Sequence, residues 1–207
     1  MGQTAELGRR VELVPMDPHF HDITLALYRQ ASPAGPVYLV HSYSRRPGAE
    51  DRLDSIAGAM AVLGGMELAG PRLLRFSCGA DHELACRRVF LEACKQGPGQ
   101  PAAQRPLTFF DKKSSHQIEI AALGGGEYRV GLEGGDASRA AAVAAGLVKL
   151  GQLQAPAPDQ VAFACGQAHD ALVGLLLVRA VNVRATLREQ ELLAARGMLV
   201  APSAQQQ

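Results

Sequence analysis

Leu73-Leu-Arg-Phe-Ser-Cys-Gly-Ala-Asp-His-Glu83 and Gln160-Val-Ala-Phe-Ala-Cys-Gly-Gln-Ala-His-Asp170 are the two stretches whose reading decides the fold. Each closes a short apolar run on Phe and continues as Cys-Gly-x-x-His-(Asp/Glu). The run reads as a strand and the sequence after the motif as a helix. Laid over each other, Asp54–Ala93 and Ala141–Ala180 align without a gap at an offset of 87, with nine identities in forty positions. Those pairs include Leu63/Leu150, Gly64/Gly151, Pro71/Pro158, Phe76/Phe163, Cys78/Cys165, Gly79/Gly166 and His82/His169. Nine matches can arise by chance in an Ala-rich chain, so the weight falls on element order.

Working outward, that order repeats. The first half predicts strands over Ile23–Tyr28 and Val37–Val40 about the turn Ala31–Gly35, then a helix over Asp51–Met66. The strand Leu73–Phe76 and a helix over Asp81–Cys94 follow. After the connector Gln96-Gly-Pro-Gly-Gln-Pro101, strands over Ile118–Ala121 and Tyr128–Val130 flank Gly124-Gly-Gly126. A helix over Ala137–Leu153, a strand over Val161–Phe163 and an apolar helix from His169 complete the second half. Allowing for the shorter hairpin pairs Tyr38 with Tyr128 and His21 with His116. The expected fold is α+β (or α/β), a pseudo-twofold duplication of a strand-strand-helix-strand-helix unit. Residues 11–95 form the first repeat and 107–200 the second, in one compact domain.

Composition narrows the function classes. The chain has 207 residues, 47% apolar and 20% charged, with a net charge of +1. That is enough apolar material for a core and excludes disorder for the bulk of the chain. The charge balance and the absence of Trp argue against nucleic acid as partner, and nothing basic is aimed at a membrane. The longest apolar run, Ala171–Val178, is far short of the ~20 residues a spanning helix needs. The N-terminal residues 1–10 carry no apolar stretch behind Arg9-Arg10, so no secretory signal is expected. Four cysteines are too sparse for a disulfide framework, and free thiols in a cytoplasmic protein are expected. Cys78, Cys86 and Cys94, spaced by eight, read as one helix face.

The chemistry concentrates in the repeated motif. A thiol where a strand feeds a helix meets unpaired N–H groups and the positive end of the helix dipole, which favours thiolate. Glycine permits the sharp turn, and His four residues on reaches the thiol by one helical turn if the helix starts at the cysteine. Cys78, His82, Cys165 and His169 are therefore the candidate catalytic residues of a soluble intracellular small-molecule enzyme, reaction type open. Whether the chain is an enzyme at all stays open too. In the alternative, a non-catalytic ligand-binding or assembly protein, the turns only build the fold. In a zinc-binding protein they ligate: two Cys and two His make a tetrahedral set if the pseudo-dyad brings the motifs together. The 87-residue separation gives no support for that convergence, so no metal or cofactor is assigned from sequence.

Other candidates are weaker. His82-Glu-Leu-Ala-Cys86 lacks the second histidine of a zincin helix, which excludes a metalloprotease. Two-cysteine racemases also place a Cys-Gly turn in each pseudo-symmetric half; the glycine that follows there is replaced by Asp81 and Ala168, so the likeness ends at mechanism. His41, with Arg45 and Arg46 beyond it, is a candidate site for an anionic small-molecule substrate. Leu132-Glu-Gly-Gly-Asp136 replaces that loop in the second half. His19 and His21 form a His-x-His pair beside Asp22. Neither Gly124–Gly126 nor Gly134-Gly135 has the lysine or spacing of a phosphate loop; the first reads as a hairpin turn, the second as a lead into a helix capped by Asp136 or Ser138.

Overall fold

The computed structural model describes residues 10–15, 24–42, 49–97, 99–100, 107–112 and 115–181. In the first half, strands β1 (Arg10–Pro15), β2 (Thr24–Gln30) and β3 (Val37–Ser42) precede helix α1 (Ala49–Gly64). Strands β4 (Met66–Gly70) and β5 (Leu73–Phe76) and helix α2 (Glu83–Cys94) follow. The second half runs β6 (Thr108–Asp111), β7 (His116–Gly124), β8 (Glu127–Leu132), α3 (Ala137–Gly151), β9 (Gln160–Ala162) and α4 (Asp170–Ala180). The strands make two antiparallel sheets, ordered β1-β2-β3-β5-β4 and β6-β7-β8-β9. This is an α+β fold.

Outer strands β1, β4 and β6 were not expected from sequence. Met66 reads as the end of the first helix, and Glu67-Leu-Ala69 after it are good helix formers with no strand pattern. The helix instead stops at Gly64, Gly65 turns left-handed at φ +60°, and the chain returns as β4 with three of its five residues exposed. In the second half, Asp136 caps the N-terminus of α3, its carboxylate accepting the Arg139 N–H at 2.9 Å.

One continuous apolar core draws on both halves, from Leu25, Tyr38 and Phe76 to Tyr128, Phe163 and Leu176. Alternation along β3 and β8 turns Tyr38, Val40, Tyr128 and Val130 inward. Helix α4 buries Leu172, Val173, Leu175, Leu176 and Leu177, as its apolar circumference predicts, and packs against α1, α2 and α3. Each of those buried side chains contributes about 1.5–3 kcal/mol. The Gly64/Gly151 identity has a packing cause. A Cβ there would sit 3.1 Å from Val89 or 2.7 Å from Leu176, so the helices α1/α2 and α3/α4 close over small residues. Arg139 reaches across with Nε and Nη2 at 2.8 and 2.6 Å from buried Asp111 Oδ2, tying β6 to α3. Among the described residues no helix is long and apolar enough to cross a membrane.

Candidate metal centre

Each motif is built the same way. The strand ends, and the N–H of Gly79 or Gly166 donates to the carbonyl of Phe76 or Phe163 at 3.0 Å. Both glycines sit at φ +68°, a left-handed conformation that costs a residue with a Cβ roughly 1 kcal/mol. That turn swings the cysteine back over the residues that follow. His82 and His169 are the N-caps of α2 and α4, yet neither side chain caps its helix. Their rings point to the thiols instead, with Sγ to Nε2 distances of 3.2 Å for Cys78–His82 and 3.3 Å for Cys165–His169. The helices therefore begin after the histidines, and it is the glycine turn, not a helical turn, that joins Cys to His. Cys78 accordingly precedes α2 and does not share a helix face with Cys86 and Cys94.

The two motifs meet. One ligand atom from each of Cys78, His82, Cys165 and His169 lies within 4.8 Å of all the others. His82 and His169 have ring centroids 4.8 Å apart at 74°. Phe76 and Phe163 each stand 4.8 Å from their own half's imidazole, and 5.8 and 5.6 Å from the other's. The four rings pack edge to face, which fixes the imidazole planes in an apolar wall. The imidazoles are buried, while the cysteines are half-buried and stand nearer the surface.

Burial sets the charge states. It lowers the pKa of His82, and it lowers that of His169 to about 4, helped by the neighbouring His82. Both rings are neutral at pH 7, the state that ligates a metal. Without an ion, burial pushes the Cys78 thiol up, with Cys165 beside it adding to the effect; the Ala80 N–H at 3.4 Å pulls the other way. The thiolate expected from the helix dipole is thus not what the metal-free pocket favours at Cys78. A cation held by these residues would reverse that balance.

Two tyrosines and two hairpin tips support the motifs. Buried Tyr38 donates to Asp81 Oδ1 at 2.8 Å, and buried Tyr128 donates to Asp170 Oδ1 at 2.6 Å. Burial raises both phenol pKa values, keeping them as donors. The halves differ here: Asp81 precedes its histidine and Asp170 follows. Asp81 also pairs with Arg29 and accepts the Glu83 N–H, whereas the Tyr128 oxygen accepts the His169 N–H at 2.8 Å. Gly35 and Gly126, in the turns of the two hairpins, press on the Cys-Gly turns. A Cβ at Gly35 would lie 2.2 Å from the Gly79 oxygen, and one at Gly126 would lie 2.8 Å from the Gln167 oxygen. Gly124–Gly126 is therefore a hairpin turn, as read from sequence, with the further task of bracing the second motif. The Tyr38/Tyr128 match was visible in the sequence; nothing there showed that the pair holds Asp81 and Asp170.

Of the other candidate binding residues, His41 is among those described. His41 is exposed at the end of β3, its ring 6.0 Å from that of Tyr28, and is not in the cluster. Arg45, Arg46, His19 and His21 fall outside the described residues. Cys86 is buried inside α2, Cys94 is half-buried, and none of the four cysteines is in a disulfide. Sulfur bonds of about 2.3 Å and nitrogen bonds of about 2.0 Å put tetrahedral ligand atoms roughly 3.3–3.8 Å apart. The two Sγ–Nε2 distances lie within a few tenths of an ångström of that range, and the widest separation exceeds it by about an ångström. A carbon substrate gripped between two sulfurs needs about 7 Å, from contacts of about 3.5 Å on each side. No protein-family model matches the chain, and no curated protein or solved structure matches it.

Proposed function

We propose that the chain is a metal-binding protein that holds one zinc ion through Cys78, His82, Cys165 and His169. The observation that carries this reading is the convergence of four ligand atoms within 4.8 Å from motifs 87 residues apart. Zinc is favoured because two thiolates and two imidazoles in a compact four-ligand set suit a borderline-soft ion with no geometric preference of its own. With all four positions filled by protein, the ion is structural. It bridges the start of α2 to the start of α4, so its binding free energy adds directly to the packing between halves. Reduced thiols are required, which suits a cytoplasmic setting.

The test is elemental analysis of purified protein, followed by replacement with Co²⁺. One zinc per chain, and a cobalt form with tetrahedral d–d bands plus sulfur-to-cobalt charge transfer, are the expected results. Cys165→Ser should weaken zinc binding and halve the charge-transfer intensity, and replacing Cys78 and Cys165 together should abolish that transition. A protein that purifies without metal and takes up neither ion does not support the reading.

A second reading rests on the same 3.2 and 3.3 Å contacts, which are also hydrogen-bonding distances. In it, Cys78 or Cys165 is the nucleophile or acid/base of a small-molecule enzyme and the histidine its partner. Rapid, selective alkylation of one of these thiols in metal-free folded protein favours it over the zinc reading.

A further inference from the structure

The four ligands are not equally accessible. His82 and His169 are buried behind Phe76 and Phe163, whereas Cys78 and Cys165 are half-exposed. Both sulfurs belong to the set that spans no more than 4.8 Å. Both cysteines sit outside any strand or helix, each followed by a glycine at φ +68°, so shifting a sulfur by an ångström or two breaks no ladder. The other two thiols are set apart. Cys86 is fully buried and Cys94 lies two turns further along α2.

We propose that Cys78 and Cys165 are a two-electron oxidation site for hydrogen peroxide, at which a disulfide forms across the two halves and the ion is released. The inference rests on the zinc reading for the release step, but not for the bond itself. One thiolate attacks a peroxide oxygen, the O–O bond breaks, and a sulfenic acid and hydroxide result. The second thiolate attacks that sulfur, the S–S bond forms at about 2.05 Å, and hydroxide leaves. Two thiolates lose two electrons, peroxide gains them, and two protons convert the two hydroxides to water. Zinc keeps its +2 charge throughout. Left with two neutral imidazoles, it loses half its donors and all of its anionic ones, and it dissociates.

The experiment treats the full chain, once zinc-loaded and once stripped by chelator, with hydrogen peroxide. Released zinc is read with a chromogenic chelator and the thiols by peptide mass mapping. The expected result is a Cys78–Cys165 cross-linked peptide, two hydrogens lighter than the reduced pair, appearing in step with zinc loss in the loaded sample. Dithiothreitol should restore binding of one zinc per chain. The same cross-link in the stripped sample supports the thiol pair by itself, and does so even if the chain never takes up zinc, in which case only the metal reading fails. Sulfinic acid at either cysteine without a cross-link, a bond to Cys86 or Cys94 instead, or zinc retained while peroxide is consumed, each overturns the inference.

Discussion

Removing a single oxygen, in Tyr128→Phe, tests how the second motif is held. The Tyr128 hydroxyl makes two bonds, accepting the His169 N–H at 2.8 Å and donating to Asp170 at 2.6 Å. Tyr128 is fully buried and His169 nearly so, so the orphaned N–H has no route to water without local opening. An unsatisfied buried donor costs about 1–3 kcal/mol. Asp170 is exposed and regains water, so its loss adds little. The sum is about 2 kcal/mol, or a fall in Tm of roughly 4–8 °C for a chain of this size. Tyr38→Phe is the internal control, because Tyr38 holds only Asp81, which keeps Arg29 and the Glu83 N–H. It should cost about 1 kcal/mol or less. Because the N–H belongs to a ligand residue, zinc affinity should fall about 10–100-fold in Tyr128→Phe. The assays are urea unfolding of the metal-free protein and zinc titration against a competing chelator. Equal destabilisation by the two variants, with zinc affinity within threefold of wild type in both, would refute the reasoning.

Three further outcomes are expected. In the metal-free protein the His169 pKa is lowered to about 4 from 6.5, so between those values the unfolded chain binds the proton more readily. Stability is therefore full above about pH 6.5 and declines as pH falls towards 4, by about 3 kcal/mol from this group; equal urea midpoints at pH 7 and pH 4.5 would contradict this. Gly126→Ala puts a Cβ 2.8 Å from the Gln167 oxygen at φ +78°, whereas Gly125→Ala, at φ +57°, enters open space. The first should cost about 2–3 kcal/mol and weaken zinc binding, the second about 1 kcal/mol with affinity kept, as read by the same unfolding and competition titrations. Arg139→Met removes two charge-assisted hydrogen bonds to the buried Asp111 carboxylate and should cost about 2–3 kcal/mol in urea unfolding; a loss under 1 kcal/mol would show that the clamp between β6 and α3 carries little.

The parts of the fold legible in the sequence are those with a local cause. Leu73–Phe76 is legible to the residue because it is a short apolar run that the Cys-Gly turn closes. Helices α1 to α4 follow from apolar spacing, with their ends off by a few residues. Strand β4 was lost because its residues favour helix, and only Gly64-Gly65 marks the break. The four candidate ligands are legible as residues; their meeting is not. The spacing Cys-x3-His reports what a turn can do within one half. Which strand-to-helix junctions come together is decided by the burial of α4 against α1, α2 and α3, a property of the whole core. The bracing by Gly35 and Gly126 was hidden for the same reason: a hairpin turn's sequence states its own geometry, not what lies beneath it.

Zinc-edge X-ray absorption on the purified, reduced protein tests the central claim most directly. Two sulfur scatterers at about 2.3 Å and two imidazole nitrogens at about 2.0 Å, in a four-coordinate shell that loses one sulfur in Cys78→Ser, is the predicted result. A shell of oxygen and nitrogen alone, or one unchanged when Cys78 and Cys165 are both replaced, would contradict the assignment of the ion to this centre.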